Sequence, residues 1–391
     1  MSNKHIRVSW CGDIMLLATQ REAVRAKFGV DDYFEYVGRL KSVLSGSDYV
    51  LANLETPVSP SSDYTDRATV FNSPPELLEA IKDIGIGFVS TANNHCLDRD
   101  VRGLDETLAQ LDKYGIGHDG TWRNVNDSDR VFVKSIGPIR LAVVCCTFGT
   151  NSQHNGIMLP KGEEWRVALT RTQLRKKNIG FNPDGAVAVQ YEYLTDDVSP
   201  AAINNPMHEI YLNRILDKIR RAKSLADIVA VMPHVGGQYN PAPGAYAKHI
   251  VNKFLECGAD LVIAGHPHTS LRSQWDAKCF YTFSLGNLSF TPDVGYYAKN
   301  TLADYGIILH TYFNTQIKCI ERVTFDVVKN CVEEDGCTRV VPVVELFEQE
   351  QNLSRRDRLT MEVEAVVNRF RGTGGMVEIQ REYEFSRQGV L

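Results

Sequence analysis

Short apolar runs and helix-spaced apolar positions alternate along the first 150 residues. Ile6–Trp10 reads as a strand running into Gly12–Asp13, Tyr49–Ala52 as a strand ending at Asn53, and Gly87–Thr91 as a strand ending in Ala92–His95. Between them, Tyr33–Leu44 places Phe34, Val37 and Leu40 at helical spacing. Pro75–Ile84 predicts a helix with proline in its first turn, where no N–H is needed. Gly103–Tyr114 predicts another, stopped at Gly115. Val131–Ser135 and Leu141–Cys146 predict a hairpin turning at Gly137–Pro138.

Residues 151–205 break this rhythm: they are polar, rich in Asn, Gly and Pro, and carry the basic run Arg171–Lys177. They read as a long insertion over one face; a binding loop and a plain surface excursion are both open. The rhythm resumes with a helix over Glu209–Leu225, a strand Ile228–Met232 ending at Pro233–His234, and a helix Ala247–Cys257. Two strands follow, Asp260–Ala264 and Cys279–Leu285, the latter ending at Gly286–Asn287; then come β-like segments Gly306–Tyr312, Lys318–Val328 and Thr338–Val344. The expected organisation is one α/β domain over 1–345, interrupted at 151–205. A charged extension follows over 346–391, with a helix at Leu359–Phe370. Strands alternating with helices predict a mainly parallel sheet covered on both faces.

Composition narrows the function. Forty-three basic against 48 acidic residues leave a net charge of −5, which argues against nucleic-acid binding as the main role. The N-terminus has no secretory signal, and no window approaches the apolar length of a membrane span. Nine cysteines without CxxC spacing fit a reducing compartment, so a cytoplasmic location is expected. Cys145 and Cys146 lie inside an apolar run and read as core.

The chemistry gathers at the strand ends. Gly258–His268, GADLVIAGHPH, ends a strand at Gly265 and places His266 and His268 two residues apart. In extended chain those side chains share one side. Other strand ends supply Asp13, then Asn53 and Glu55, then Asn93, Asn94, His95 and Asp98, then His234, and finally Asn287. Open α/β sheets place ligand sites there. Mixed oxygen and nitrogen donors suit Mn, Fe, Zn or Co, and one or two such ions can activate a water. Each residue also has an ordinary use: Asp13 or Asp98 as a helix cap, Glu55 in a surface ion pair, Asn94 in a turn, His95 as a satisfied core histidine.

The ordered segments GDIML (Gly12–Leu16), NLETPV (Asn53–Val58), FNSPPELLEAIKDIGIGFVSTANNHCLD (Phe71–Asp98), GLDETLAQLDKYGI (Gly103–Ile116), HVGGQY (His234–Tyr239), GADLVIAGHPH and FSLGN (Phe283–Asn287) resemble the capsule-synthesis CapA family of poly-γ-glutamate synthesis proteins. The resemblance covers roughly residues 6–290. It implies a four-layered α/β/β/α sandwich of the calcineurin-like metallophosphoesterase type. One divalent ion would then see Asp13, Glu55 and His268, and a second would share Glu55 and add Asn94, His234 and His266. By the same likeness His95 would protonate the leaving group or steady the transition state, and Asp98 would orient that imidazole. Met15 stands where those enzymes carry a histidine, and HVGGQY departs from the family's HWGxEY at Val235 and Gln238. The implied activity is metal-dependent hydrolysis of a phosphoester or a γ-glutamyl amide. Two alternatives are a small-molecule phosphatase or phosphodiesterase, and a non-catalytic accessory protein of polymer biosynthesis. Expected partners are a small-molecule or polyanionic substrate and a polymer-biosynthesis protein, without membrane insertion.

Overall fold

The computed structural model describes residues 5–64, 70–173, 206–276, 279–291 and 301–387. Two β-sheets face each other, with helices on their outer sides. The first sheet runs in the order β14-β13-β12-β1-β2-β3-β4. Its strands are β1 His5–Ile14, β2 Tyr49–Leu54, β3 Ile86–Ser90, β4 Gly117–Asp119, β12 Tyr305–Asn314, β13 Cys319–Val332 and β14 Thr338–Pro342. Two short strands join it: β11 Asn287–Ser289 beside β1, and β15 Tyr383–Glu384 beside β13. The second sheet runs β5-β6-β7-β8-β10-β9, from β5 Phe132–Ile136, β6 Ile139–Thr147, β7 Ile228–His234, β8 Leu261–Ile263, β9 Ser273–Trp275 and β10 Phe280–Thr282.

The layers follow from the side-chain period of each element. Val8 and Trp10 of β1, Leu51 and Phe88 meet Leu141, Val143 and Val231 in one contiguous core between the sheets. The opposite faces of β2 and β3, with Val50, Ala52, Leu54 and Val89, pack under the helices Glu76–Asp83 and Asp100–Tyr114 through Leu77, Ile81, Leu104, Leu108 and Leu111. Leucines three and four apart make the stripe. Helix Pro206–Leu225 buries Leu212, Ile215, Leu216, Ile219 and Ala222, and helix Ala245–Glu256 buries Tyr246, Ile250, Val251 and Phe254, on the second sheet. This is the four-layered α/β/β/α arrangement that the resemblance implies.

The expectation of a mainly parallel sheet is corrected. β1 pairs in parallel with β2 and β11, but antiparallel with β12, and β12 to β14 form an antiparallel meander. The second sheet is mixed too, antiparallel at β5–β6 and β10–β9. The helix expected over Tyr33–Leu44 is three short turns, tightened to a 3-10 turn at Gly38–Leu40; a mid-helix glycine weakens the turn there. The helix Ala18–Phe28 escaped the pattern because only Gln20 and Val24 are buried on it. Cys279–Leu285 holds only three strand residues, Phe280–Thr282.

After residue 345 the chain is charged outside and packed inside. The helix Leu353–Arg371, longer than expected, buries Leu359, Val363, Val366, Val367 and Phe370 in the large core. Phe370 sits with its ring centroid 4.9 Å from that of Phe325 and 5.8 Å from that of Phe385. The stretch 151–173 is tied in as well, with bridges Thr121 to Val167 and Thr147 to Leu169. The rest of the 151–205 insertion, most of its basic run included, lies outside the described residues.

Candidate metal centre

The carboxyl ends of β1, β2, β3, β7 and β8 converge where the two sheets meet, and the backbone there is adapted to side-chain placement. Alternation along β1 would turn Asp13 away from Trp10. Instead the register with β2 steps from Trp10–Leu51 to Asp13–Asn53, three residues against two. Such a bulge re-aims the side chain that follows. Gly12 permits it: a Cβ there would fall 1.8 Å from the Gly286 carbonyl oxygen. Gly265 makes similar room, since its Cβ would lie 2.6 Å from Asp13 Oδ1.

His266 and His268 reach the site by a different route from the one the sequence predicts. The chain is not extended there: both histidines have positive φ, 99° and 57°. Non-glycine residues persist in such conformations only when their surroundings hold them. Here Val235 N–H donates to the Gly265 carbonyl (3.0 Å), Tyr239 N–H to the Pro267 carbonyl (2.8 Å), and His266 N–H to Asp13 Oδ2 (3.1 Å).

The structure brings all eight predicted residues to one place: Asp13, Glu55, Asn94, His95, Asp98, His234, His266 and His268, none more than 5% exposed. Two donor groups emerge among the described residues. Glu55, His234 and His266 form one, and Asp13, Glu55 and His268 the other, with the donor atoms of each within 4.8 Å of one another. Asn94 Oδ1 lies 2.7 Å from His234 Nε2, beside the first group. His95 Nδ1 is 2.6 Å from Asp98 Oδ2, while its Nε2 is 4.0 Å from Glu55 Oε1.

This donor set fits a divalent cation. Glu55 is fully buried and, among the described residues, neither carboxylate oxygen has a well-formed hydrogen bond; the nearest imidazole nitrogen, His234 Nε2, stands 3.3 Å from Oε1. A buried charge without bonds is costly unless a counter-charge meets it. Burial raises Glu55, but His234 and His268 outweigh it and hold the carboxyl down at about 2. Burial, and then the Glu55 charge, push Asp13 up to about 6. His266 is held well below its ordinary range, by burial first and then by His234 and His268. It is therefore a neutral imidazole whose Nδ1 faces His234 Nε2 at 3.1 Å. A neutral His266 imidazole facing another ring nitrogen, and carboxylates that repel, are what a cation resolves. For His95, burial pulls the imidazole down and Asp98 more than restores it, leaving its proton held above the usual range.

A ring of amides fixes these groups from behind. Asn53 Nδ2 donates to Asp13 Oδ1 (2.8 Å), and Asn93 anchors on the Leu54 carbonyl while its Oδ1 accepts from His95 N–H. Asn287, grouped with the strand-end residues from the sequence, stands behind His268: its Oδ1 is 2.9 Å from His268 Nδ1 and its amide donates to the His268 and Ala303 carbonyls. Such outer partners set ring orientation. Two residues went unassigned in the sequence. Phe71 stacks on His95 with centroids 4.0 Å apart. Asn151 reaches Asn94; it follows the end of β6, a strand end from which no candidate was drawn. Met15, Leu17, Phe71, Tyr239, Phe290 and Ala303 form a separate apolar cluster that meets the centre where Phe71 stacks on His95 and Tyr239 and Phe290 face His268. Val235 is buried in the large core, so that departure changes packing behind the loop.

A family model for bacterial capsule synthesis proteins, PGA_cap, matches residues 7–292. The PGA biosynthesis protein CapA of Bacillus subtilis (strain 168) is 25% identical over 291 residues, 74% of this chain and 64% of that protein. The capsule biosynthesis protein CapA of Bacillus anthracis is 22% identical over 292 residues, 74% of this chain and 60% of that protein. The chain thus spans less than two thirds of either relative's length. A solved structure of a novel phosphatase from Mycoplasma pneumoniae overlays 84% of this chain and 95% of its own, with a TM-score of 0.39 and 10% identity, a likeness too slight to carry an argument.

Proposed function

The chain belongs to the PGA_cap family of bacterial capsule synthesis proteins, and from that footing we propose that it is a metal-dependent hydrolase of a phosphoester or a γ-glutamyl amide. The observation that carries this reading is the Glu55 carboxylate, fully buried, faced among the described residues by imidazole nitrogens at 3.3 Å and beyond, and shared by two groups of donors. Asp13, Glu55 and His268 would hold one divalent ion; Glu55, Asn94, His234 and His266 would hold the other. Ions so held supply Lewis acidity and lower the pKa of a water to near neutrality.

The chain's own residues do the rest. His95 carries the proton for the leaving oxygen or nitrogen at Nε2, the ring nitrogen that faces Glu55. Asp98 accepts from Nδ1 and favours the doubly protonated ring, which keeps an N–H at Nε2 toward the substrate. Phe71 covers one face of that ring and, through its N–H, holds the Asp98 carboxylate at 2.7 Å. The amides of Asn53 and Asn287 keep Asp13 and His268 in place, so little reorganisation is needed when charge develops. The apolar cluster excludes bulk water from the donors.

The test is metal analysis followed by hydrolysis assays on bis-p-nitrophenyl phosphate and on γ-glutamyl peptides. Bound transition metal, and Mn-dependent turnover of either substrate, are expected. A protein that takes up no Mn overturns the metal reading. One that binds Mn but turns over neither substrate overturns the hydrolase and favours an accessory binding protein of polymer synthesis. His234→Ala and His266→Ala are expected to abolish turnover with folding intact.

A further inference from the structure

The loop after β6 sends Asn151 into the centre, and the side chain is not engaged in the backbone cap its position offers. Asn151 sits with φ 54°, a conformation asparagine tolerates better than most residues. It immediately precedes the short turn Ser152–Asn155, where an asparagine commonly caps the backbone, yet its side chain makes no cap bond.

Among the described residues, that side chain reaches Asn94 and His95, both in the centre. Asn151 Oδ1 accepts from Asn94 Nδ2 at 3.0 Å. With its nitrogen so engaged, the Asn94 amide cannot flip without losing the bond. Its oxygen stays toward His234 Nε2, 2.7 Å away. Asn151 Nδ2 lies 3.4 Å from both His95 Nδ1 and His95 Nε2. An in-plane position equidistant from the two would collide with Cε1, so the amide sits over the ring. Phe71 already occupies one face, stacked with 21° between planes; the Asn151 amide covers the other. One turn on, Asn155 Nδ2 reaches Asp98 Oδ1 at 3.4 Å. The turn therefore brackets Asn94, His95 and Asp98 together.

We propose that Asn151 is a positioning residue: it holds the Asn94 oxygen toward the His234–His266 group and clamps the His95 ring against Phe71. The inference rests on the reading of the centre as a metal site, and it gives the first part of the 151–205 insertion a task there.

Cobalt(II) is the probe, read by calorimetry and by its visible absorption, in a His268→Ala background that leaves the Glu55, Asn94, His234 and His266 group to be titrated. Asn151→Gly removes the amide, and glycine accepts the positive φ without strain. Its Co(II) affinity is expected to fall about 10- to 100-fold, the usual effect of losing an outer partner of a ligand, with the far-ultraviolet dichroism unchanged. Asn151→Asp keeps an acceptor for Asn94 Nδ2. It is expected to return the affinity to within a few-fold of the parent and to restore the parent's absorption bands. Equal affinity in the parent and Asn151→Gly overturns the inference, and so does an Asn151→Asp protein as weak as Asn151→Gly. If Asn151→Gly does not fold, the Asn151→Asp arm decides alone: Co(II) bands or affinity unlike the parent's overturn the inference. A native sequence that takes up no Co(II) overturns both this inference and the metal reading beneath it.

Discussion

Because Glu55 stands in both donor groups, one substitution separates a shared centre from two independent ones. Consider the thermal midpoint of the protein stripped with a chelator and then titrated with Mn(II). An ion that binds only the folded state stabilises it by about 2.7 kcal/mol at a hundredfold excess over Kd. Two ions at that excess give about 5 kcal/mol. Unfolding entropy is roughly 2 cal/mol/K per residue near 60 °C, or about 0.8 kcal/mol/K over 391 residues. The midpoint of the native protein is therefore expected to rise about 6 °C. Glu55→Gln keeps the shape but removes the charge common to both groups, and its rise is expected to vanish. His268→Ala touches only the Asp13 group and is expected to keep about half the rise, about 3 °C. Each protein is compared with its own ion-free midpoint, so any change in baseline stability drops out. Differential scanning calorimetry at matched Mn(II) makes the measurement. A Glu55→Gln protein that retains the full native rise would refute the shared-carboxylate argument.

Three further outcomes follow from named contacts. His95→Gln is expected to cost about 10²- to 10⁴-fold in turnover, and Asp98→Asn about 10- to 100-fold, with Mn stoichiometry by calorimetry unchanged in both; lost Mn binding would place these residues among the ligands. Met15→His should add an imidazole beside Asp13 and His268 and tighten the weaker Mn site at least tenfold, and an unchanged isotherm counts against the view that Met15 stands for a missing ligand. Burial pulls Glu362 up, but bonds from Tyr305, Lys329 and Arg358 outweigh it and hold it at about 2. Its contribution is thus present above pH 4.5 and lost as pH falls toward 2. The Glu362→Gln protein should melt lower than the native chain at pH 7, by about 1 kcal/mol or less, and the gap should narrow below pH 4.5 and close only near pH 2; a gap that stays constant across that range would show that the network carries no charge effect.

Much of this architecture was legible because apolar periodicity and strand ends are local properties. The strands through Ile6–Trp10, Tyr49–Ala52 and Ile228–Met232, the Gly137–Pro138 hairpin and the Gly103–Tyr114 helix are each written in a short local stretch, and the structure has them. What was not legible depends on partners far along the chain. The antiparallel run from β12 to β14 is decided by β1 accepting β12 on one edge, some 300 residues away in sequence. The Asp13 bulge requires the Gly286 carbonyl. The positive φ values of His266 and His268 are held by bonds donated by Val235 and Tyr239 and one accepted by Asp13, so two residues that a strand rule aims at one side arrive there by strain instead. Asn151 escaped notice because it sits at the head of a polar stretch with no period to flag it.

The two donor groups are unequal, and the inequality sets an order of filling. Around His234 and His266 the centre offers Glu55, two imidazoles and the Asn94 oxygen within hydrogen-bond reach of His234. Around His268 it offers Asp13, Glu55 and one imidazole, and the position that would supply another is Met15, turned into an apolar cluster with Phe71, Tyr239 and Phe290. A thioether is a poor donor for the hard and borderline cations that carboxylates and imidazoles select. The carboxylates pull the other way. Asp13, raised to about 6 by burial and by Glu55, takes up a proton just below neutral pH, and an ion entering its group must displace that proton. The His234–His266 group should therefore fill first. The Asp13–His268 group should bind its ion more weakly as pH drops through 6, because the proton competes with it. Mn(II) isotherms at pH 7.5 and at pH 5.5 read this directly: the weaker of two binding steps is expected to weaken by a few-fold at the lower pH, and a weaker step that is the same at both would show that Asp13 does not set it.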